Sequence, residues 1–192
     1  MIWVDGELSS QLPLPDRGLY YGDGLFETLL FWQGQSLFVD LHWQRLQRGM
    51  DTLGFPACLP RIRRQLEQVE EACRREGPGR RALRITVTRG SGPRGYAPPK
   101  DPQPRIVISA APPESETLEM AAPASLCLAG IRWSRQPQLA GLKHLNRLEQ
   151  VLAAAEAARA GCDEALMLDQ SEEVLSVAAG NLFLVTGGQL VT

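Results

Sequence analysis

The sequence predicts an α+β fold in two domains, and three observations carry that expectation. Period-two strand patterns and period-3.6 helix patterns alternate through residues 1–110 instead of falling into separate blocks. A Pro/Ala/Glu-rich stretch, residues 111–123, then interrupts both periodicities and reads as a linker. Strand and helix patterns resume over residues 124–192. The expected organisation is a small N-terminal α/β domain over 1–110, the linker, and a C-terminal α/β domain over 124–192.

Each element has its own signal. "LFETLLFW" and "QSLFV" flank Gln33-Gly34, which predicts a hairpin. Asp40 is placed to cap a helix carrying Leu46, Met50 and Leu53. Pro60 suits the first helical position of the next helix, whose inner face is Ile62, Leu66, Val69 and Cys73 and whose end is Gly77. "ALRITVTRG" sets Leu83, Ile85 and Val87 against Arg84, Thr86 and Thr88, a half-buried strand, and "RIVISA" is another. In the second half Asn146, three residues ahead of Glu149, reads as an N-cap with a capping box. Leu148, Val151, Leu152 and Ala155 then form one expected buried face, closed by Gly161. "EALMLD" is a strand, and "NLFLVT-GG-QLVT" is a hairpin whose last strand is a short, poorly supported edge. The C-terminal domain is therefore expected to be incomplete.

Composition narrows the function. With a net charge of -2 and the basic run Arg61–Arg64 followed by acids at Glu67 to Glu71, a solvated helix face is expected rather than a nucleic-acid footprint. No apolar run approaches the roughly 20 residues a bilayer span requires. Cys58, Cys73, Cys127 and Cys162 have no metal-ligand spacing, so no metal is expected, and free thiols suit a reducing cytoplasm. The N-terminus "MIWVDGELSS" lacks the basic region of a signal peptide.

The segment "LAGLKHLNRLEQVLAAAEAARAG" holds the one residue that asks for chemistry. Lys143 precedes the helix, in a loop or at a strand end, flanked by Leu142 and Leu145. A solvated surface lysine is one reading. A desolvated lysine with a lowered pKa, nucleophilic towards carbonyl carbon, is the other.

Four segments in order resemble one family: "DRGLYYGDGLFET", "HWQRL", "RGSGPRGY" and "GLKHLNRLEQVL". Together they resemble the fold-type IV pyridoxal-phosphate enzymes, which include branched-chain and D-amino acid aminotransferases. "RGSGPRGY" and "KHLNRLEQVL" are most similar to the branch that splits 4-amino-4-deoxychorismate. The resemblance implies a small N-terminal α/β domain beside a pseudo-barrel-like C-terminal domain, here truncated, and a homodimer acting on a small molecule.

The resemblance also implies roles. Lys143 would hold pyridoxal phosphate through its amine and then act as acid and base. Arg45 would bind the cofactor phosphate, for which a guanidinium fork is suited. Arg94 and Arg89 would meet substrate carboxylate, with Phe26 and Tyr21 lining the pocket, although a solvated loop or a core role is open for each. The family carries a glutamate against the pyridine nitrogen five residues before the asparagine of "NLF"; counting back from Asn181 gives Ser176. A hydroxyl there would hold the ring's proton less well than a carboxylate. The implied activity is a lyase giving 4-aminobenzoate and pyruvate on the route to folate. A D-amino acid or branched-chain aminotransferase, and a catalytically silent homologue or fragment, remain the alternatives.

Overall fold

The computed structural model describes residues 1–112 and 122–192. The expected linker falls largely on 113–121, outside the described residues. The chain forms two compact units, Met1–Leu118 with Gly141–Leu145, and Glu119–Ala140 with Asn146–Thr192. The five-residue segment around Lys143, expected with the C-terminal domain, thus joins the first unit.

The first unit runs β1 (Ile2–Val4), β2 (Glu7–Leu8), α1 (Arg17–Tyr21), β3 (Gly24–Trp32), β4 (Gln35–Ser36), α2 (Val39–Leu53), α3 (Leu59–Arg75), β5 (Arg81–Thr88) and β6 (Arg105–Ala111). Its strands form one sheet in the order β2-β1-β6-β5-β3-β4. Every pairing is antiparallel. The expected hairpin forms, with Gln33 (φ 50°) and Gly34 (φ 83°) both in the left-handed region that a two-residue turn requires.

One sheet face is apolar. Leu25, Leu29 and Phe31 from β3, Leu83, Ile85 and Val87 from β5, and Ile106 and Ile108 from β6 form a core with Trp43, Leu46 and Met50 of α2 and Ile62, Leu66, Val69 and Cys73 of α3. The face of α3 is the one its spacing predicts. Asp40 lies in the first turn of α2, while the cap position is taken by Phe38. Pro60 stands one residue inside the start of α3, and Gly77 follows its end with φ 107°.

The second unit contains β7 (Leu126–Trp133), α4 (Leu148–Ala160), β8 (Glu164–Asp169), β9 (Val174–Val177), β10 (Leu184–Thr186) and β11 (Gln189–Val191). β7 and β8 pair in parallel, β8 and β9 antiparallel, and β10 with β11 forms the expected hairpin. α4 connects the two parallel strands and departs from the sequence reading in two ways. Arg147 occupies its cap position in place of Asn146. Its buried residues are Ala153 and Ala157, which pack with Ala129, Ala165 and Met167; Leu148, Val151 and Leu152 are exposed. Small side chains let a helix approach a sheet closely, so here burial follows size more than hydrophobicity. Gly161 closes the helix at φ 70°, as expected. No helix among the described residues is long and apolar enough to cross a membrane.

Candidate active site

Lys143 is seated by backbone bonds at the edge of β3. The Phe26 amide donates to the Lys143 carbonyl at 2.8 Å, and the Leu145 amide donates to the Gly24 carbonyl at 3.0 Å. Leu25 and His144 form a single antiparallel bridge between these bonds. The seat depends on Gly24 having no side chain: a Cβ there would lie 2.6 Å from both Leu145 Cδ1 and the Val87 carbonyl oxygen. Beyond this contact, β3 has no strand neighbour on that side until Leu30, among the described residues.

The Phe26 ring meets two cations. The Lys143 amine is 4.9 Å from the centroid of its ring, and the Arg84 guanidinium carbon is 4.0 Å from the same centroid. Both contacts are within cation–π range. Phe26 and Arg84 project from the sheet face opposite the helices, because each alternates with core residues along its strand. Arg84 reaches solvent but has no carboxylate partner among the described residues, and partial burial lowers its pKa. The sequence reading treats Arg84 only as an outward strand residue; it becomes a site residue here because of its neighbours.

Glu27, the next residue of β3, projects into the helix side and is fully buried. An ionised carboxylate there needs partners. Arg45 of α2 donates from Nε to Oε1 at 2.7 Å and from Nη2 to Oε2 at 2.5 Å. His42 Nδ1 lies 2.7 Å from Oε2. Burial opposes the charge on Glu27, but the hydrogen bonds from Arg45 and His42 outweigh it and hold the carboxyl below its usual range. The same hydrogen bond raises the Arg45 pKa. His42 and Arg45 meet one acid because they are three residues apart on a helix. Arg45 is therefore fixed along one edge of its guanidinium, while Nη1 has no partner among the described residues and the side chain is 36% exposed.

The loop arginines separate. Arg89 is 4% exposed, and its donors are engaged by Asp23 Oδ2 at 2.8 Å, the Gly54 carbonyl at 3.0 Å and the Leu53 carbonyl at 2.7 Å. It ties β5 to the end of α2, so the expectation that it meets substrate is corrected: its fork is filled. Arg94 is exposed and has no carboxylate partner among the described residues. The Tyr21 hydroxyl accepts from the Gly95 amide at 3.2 Å, so its polar end holds the Arg94 loop in addition to any lining role.

Ser176 belongs to the second unit, on β9 opposite Met167. Its hydroxyl is within hydrogen-bonding reach of the carbonyls of Val177 (3.0 Å) and Gly180 (3.3 Å), and its single proton serves that turn. Glu172 and Glu173 are paired with Arg132 and Arg135 respectively.

The first unit thus presents one lysine amine beside an aromatic ring and, on α2, an arginine whose guanidinium Glu27 fixes along one edge. The profile described as amino-transferase class IV matches residues 24–192, and the chain belongs to that family, the fold-type IV enzymes that use pyridoxal phosphate. The chain is 33% identical over 193 residues to an aminodeoxychorismate lyase of Vibrio harveyi, covering 100% of this chain and 70% of the relative. The crystal structure of 4-amino-4-deoxychorismate lyase from Pseudomonas aeruginosa is similar at 42% identity and a TM-score of 0.83, over 99% of this chain and 69% of that one. A hypothetical aminotransferase from Mycobacterium tuberculosis, solved in a pyridoxal-phosphate-bound form, shares the fold at 22% identity and a TM-score of 0.76, over 97% of this chain and 68% of that one.

Proposed function

We propose that this protein is a pyridoxal-phosphate-dependent lyase that divides 4-amino-4-deoxychorismate into 4-aminobenzoate and pyruvate, a step on the route to folate. One observation carries the reading: the similarity to lyases of that reaction extends over the whole chain, including the segment that seats Lys143 on β3. The residues present suit the cofactor. Lys143 offers an amine for its aldehyde, and Arg45 offers an open Nη1 on a guanidinium already fixed by Glu27.

Bound pyridoxal phosphate supplies an aldehyde for the substrate amine and a ring that withdraws electrons from the adjoining carbon. Lys143 removes the proton from the ring carbon that bears the amine, as a general base. The bond to the enolpyruvyl oxygen breaks, the six-membered ring becomes aromatic, and the released enolpyruvyl group takes a proton to become pyruvate. No acceptor substrate is consumed. Aromatisation contributes driving force, which lessens the demand on the cofactor ring as an electron sink.

Each product carries one carboxylate, so the substrate carries two. Arg94 and Arg84 are two arginines of the first unit without carboxylate partners among the described residues, and we assign one substrate carboxylate to each. Phe26 supports Arg84 and lines the pocket. The reading also takes the protein as a cytoplasmic homodimer. Its four free cysteines support the first term, and the exposed Leu148, Val151 and Leu152 of α4 support the second.

The test is a mixture of the purified chain, pyridoxal phosphate and 4-amino-4-deoxychorismate. 4-Aminobenzoate and pyruvate are expected in equal amounts with no 2-oxo acid present. Turnover that begins only when a 2-oxo acid is added would establish the aminotransferase reading instead. Arg45→Ala is expected to weaken cofactor binding roughly ten- to a hundredfold, since a charge-assisted contact contributes about 1.5–3 kcal/mol. Equilibrium titration measures this, and an unchanged dissociation constant removes Arg45 from the site.

A further inference from the structure

The segment Gly92–Tyr96, which carries Arg94, is gripped from outside the candidate site. Arg17, on α1, is 4% exposed. Its Nη1 donates to the Gly95 carbonyl at 3.0 Å and its Nη2 to the Tyr96 carbonyl at 2.7 Å. Its Nε donates to Asp23 Oδ2 at 2.8 Å, the same oxygen that receives Arg89 Nε at 2.8 Å. A Cβ on Gly92 would lie 3.1 Å from Arg17 Cδ, so the loop lies directly along the arginine stem. Tyr21 adds a second hold. Its hydroxyl accepts from the Gly95 amide, its ring meets Tyr96 edge-on at 5.4 Å, and the Arg17 guanidinium carbon stands 4.9 Å from its ring centroid.

This is more attachment than an exposed loop ordinarily has. It fixes both carbonyls and the amide that directly follow Arg94, while leaving the Arg94 side chain exposed. Asp16, fully buried, secures the base of the clamp. It caps α1 by accepting from the Gly18 amide at 2.8 Å, and it accepts from Thr88 Oγ1 at 2.8 Å at the start of the loop.

We infer that Arg17 and Tyr21 are positioning residues for substrate binding: they act through the loop backbone to hold the Arg94 guanidinium ready for a carboxylate. The inference rests on the reading that Arg94 binds one of the two substrate carboxylates. Preorganisation of this kind lowers the ordering cost of binding and leaves the chemistry untouched. Its signature is therefore a rise in KM at constant kcat.

The experiment uses the full chain loaded with pyridoxal phosphate, and measures kcat, KM, cofactor affinity and the calorimetric binding of chorismate. Chorismate keeps both carboxylates but has a hydroxyl where the substrate has its amine. Arg94→Ala is expected to raise KM and the chorismate dissociation constant about tenfold or more, as the loss of one charged contact requires. Arg17→Lys, which cannot reproduce the fork, should raise both about tenfold, and Tyr21→Phe about threefold, with kcat and cofactor affinity unchanged. In the Arg94→Ala background, Tyr21→Phe should have no further effect, whereas a purely structural role would add its own loss. If Arg17→Lys does not fold, Tyr21→Phe and the double variant still decide. Unchanged binding in Arg94→Ala overturns the reading of Arg94 and the inference with it. Weakened binding in Arg94→Ala, with no effect of Tyr21→Phe and Arg17→Lys or with additive effects, overturns the positioning role alone.

Discussion

Lys143→Ala should abolish covalent attachment of pyridoxal phosphate. In the unaltered protein, borohydride reduction is expected to fix the cofactor to Lys143, where a peptide mass map will find it. In the variant the reduced adduct should be absent, and lyase turnover should fall to background, because proton transfer by a placed side chain alone contributes roughly 10²–10⁴-fold. Folding should survive. The bonds that seat the segment are those of the Lys143 carbonyl with the Phe26 amide and the Leu145 amide with the Gly24 carbonyl, and none involves the lysine side chain. The side chain also gives up its contact with the Phe26 ring, about 0.5–1 kcal/mol at an accessible site. Lys143→Arg, which keeps the charge over the ring, should fail in the same way and so separates the amine's chemistry from its electrostatics. A stoichiometric reducible adduct in either variant would return Lys143 to the solvated-lysine reading.

What the sequence conveyed depended on whether a residue's role was local. The Gln33-Gly34 hairpin and the inner faces of α3 and β5 are set by turn chemistry and periodicity, and they stand as read. α4 was misread because its apolar stripe and its buried stripe differ. Leu148, Val151 and Leu152 dominate any hydrophobic pattern, yet Ala153 and Ala157 meet the sheet. Arg89 and Arg94 lie five positions apart in one motif and are indistinguishable by residue type; only the carbonyls of Leu53 and Gly54, far away in the chain, show that Arg89 is occupied. Arg84 was legible as an outward strand residue but not as sharing the Phe26 ring with Lys143, because those contacts join β5, β3 and a segment from much later in the chain. Glu27 was missed although a signal existed. It falls in phase with Leu25, Leu29 and Phe31 along the strand, so it occupies a core position, and an acid at a core position demands a cation.

That demand makes Glu27 the second large effect. Its carboxylate is the only acid bonded to both Arg45 and His42 among the described residues, and it lies out of water under the sheet. Removing one member of a buried pair costs about 3–5 kcal/mol. Arg45 is 36% exposed and can turn to solvent, so Glu27→Gln is expected to cost less, about 2–3 kcal/mol, read as a lower urea midpoint at neutral pH. The pH dependence follows from the direction of the shift. The folded-state pKa of Glu27 is depressed, so the unfolded chain binds its proton first as pH falls. Its contribution is complete above the unfolded value of about 4.3 and is lost as pH falls through the lower folded value. The stability gap between the unaltered protein and Glu27→Gln should therefore be constant from pH 7 to about pH 5 and then narrow below about pH 4. A gap that stays constant into acid would mean that the charge on Glu27 is not what holds Arg45. Cofactor affinity supplies the functional half of the result. With its anchor gone, Arg45 must be ordered at each binding event, so Glu27→Gln should weaken pyridoxal phosphate binding in the same direction as Arg45→Ala but less. The double variant should bind no more weakly than Arg45→Ala alone, because Glu27 reaches the phosphate only through the guanidinium it holds.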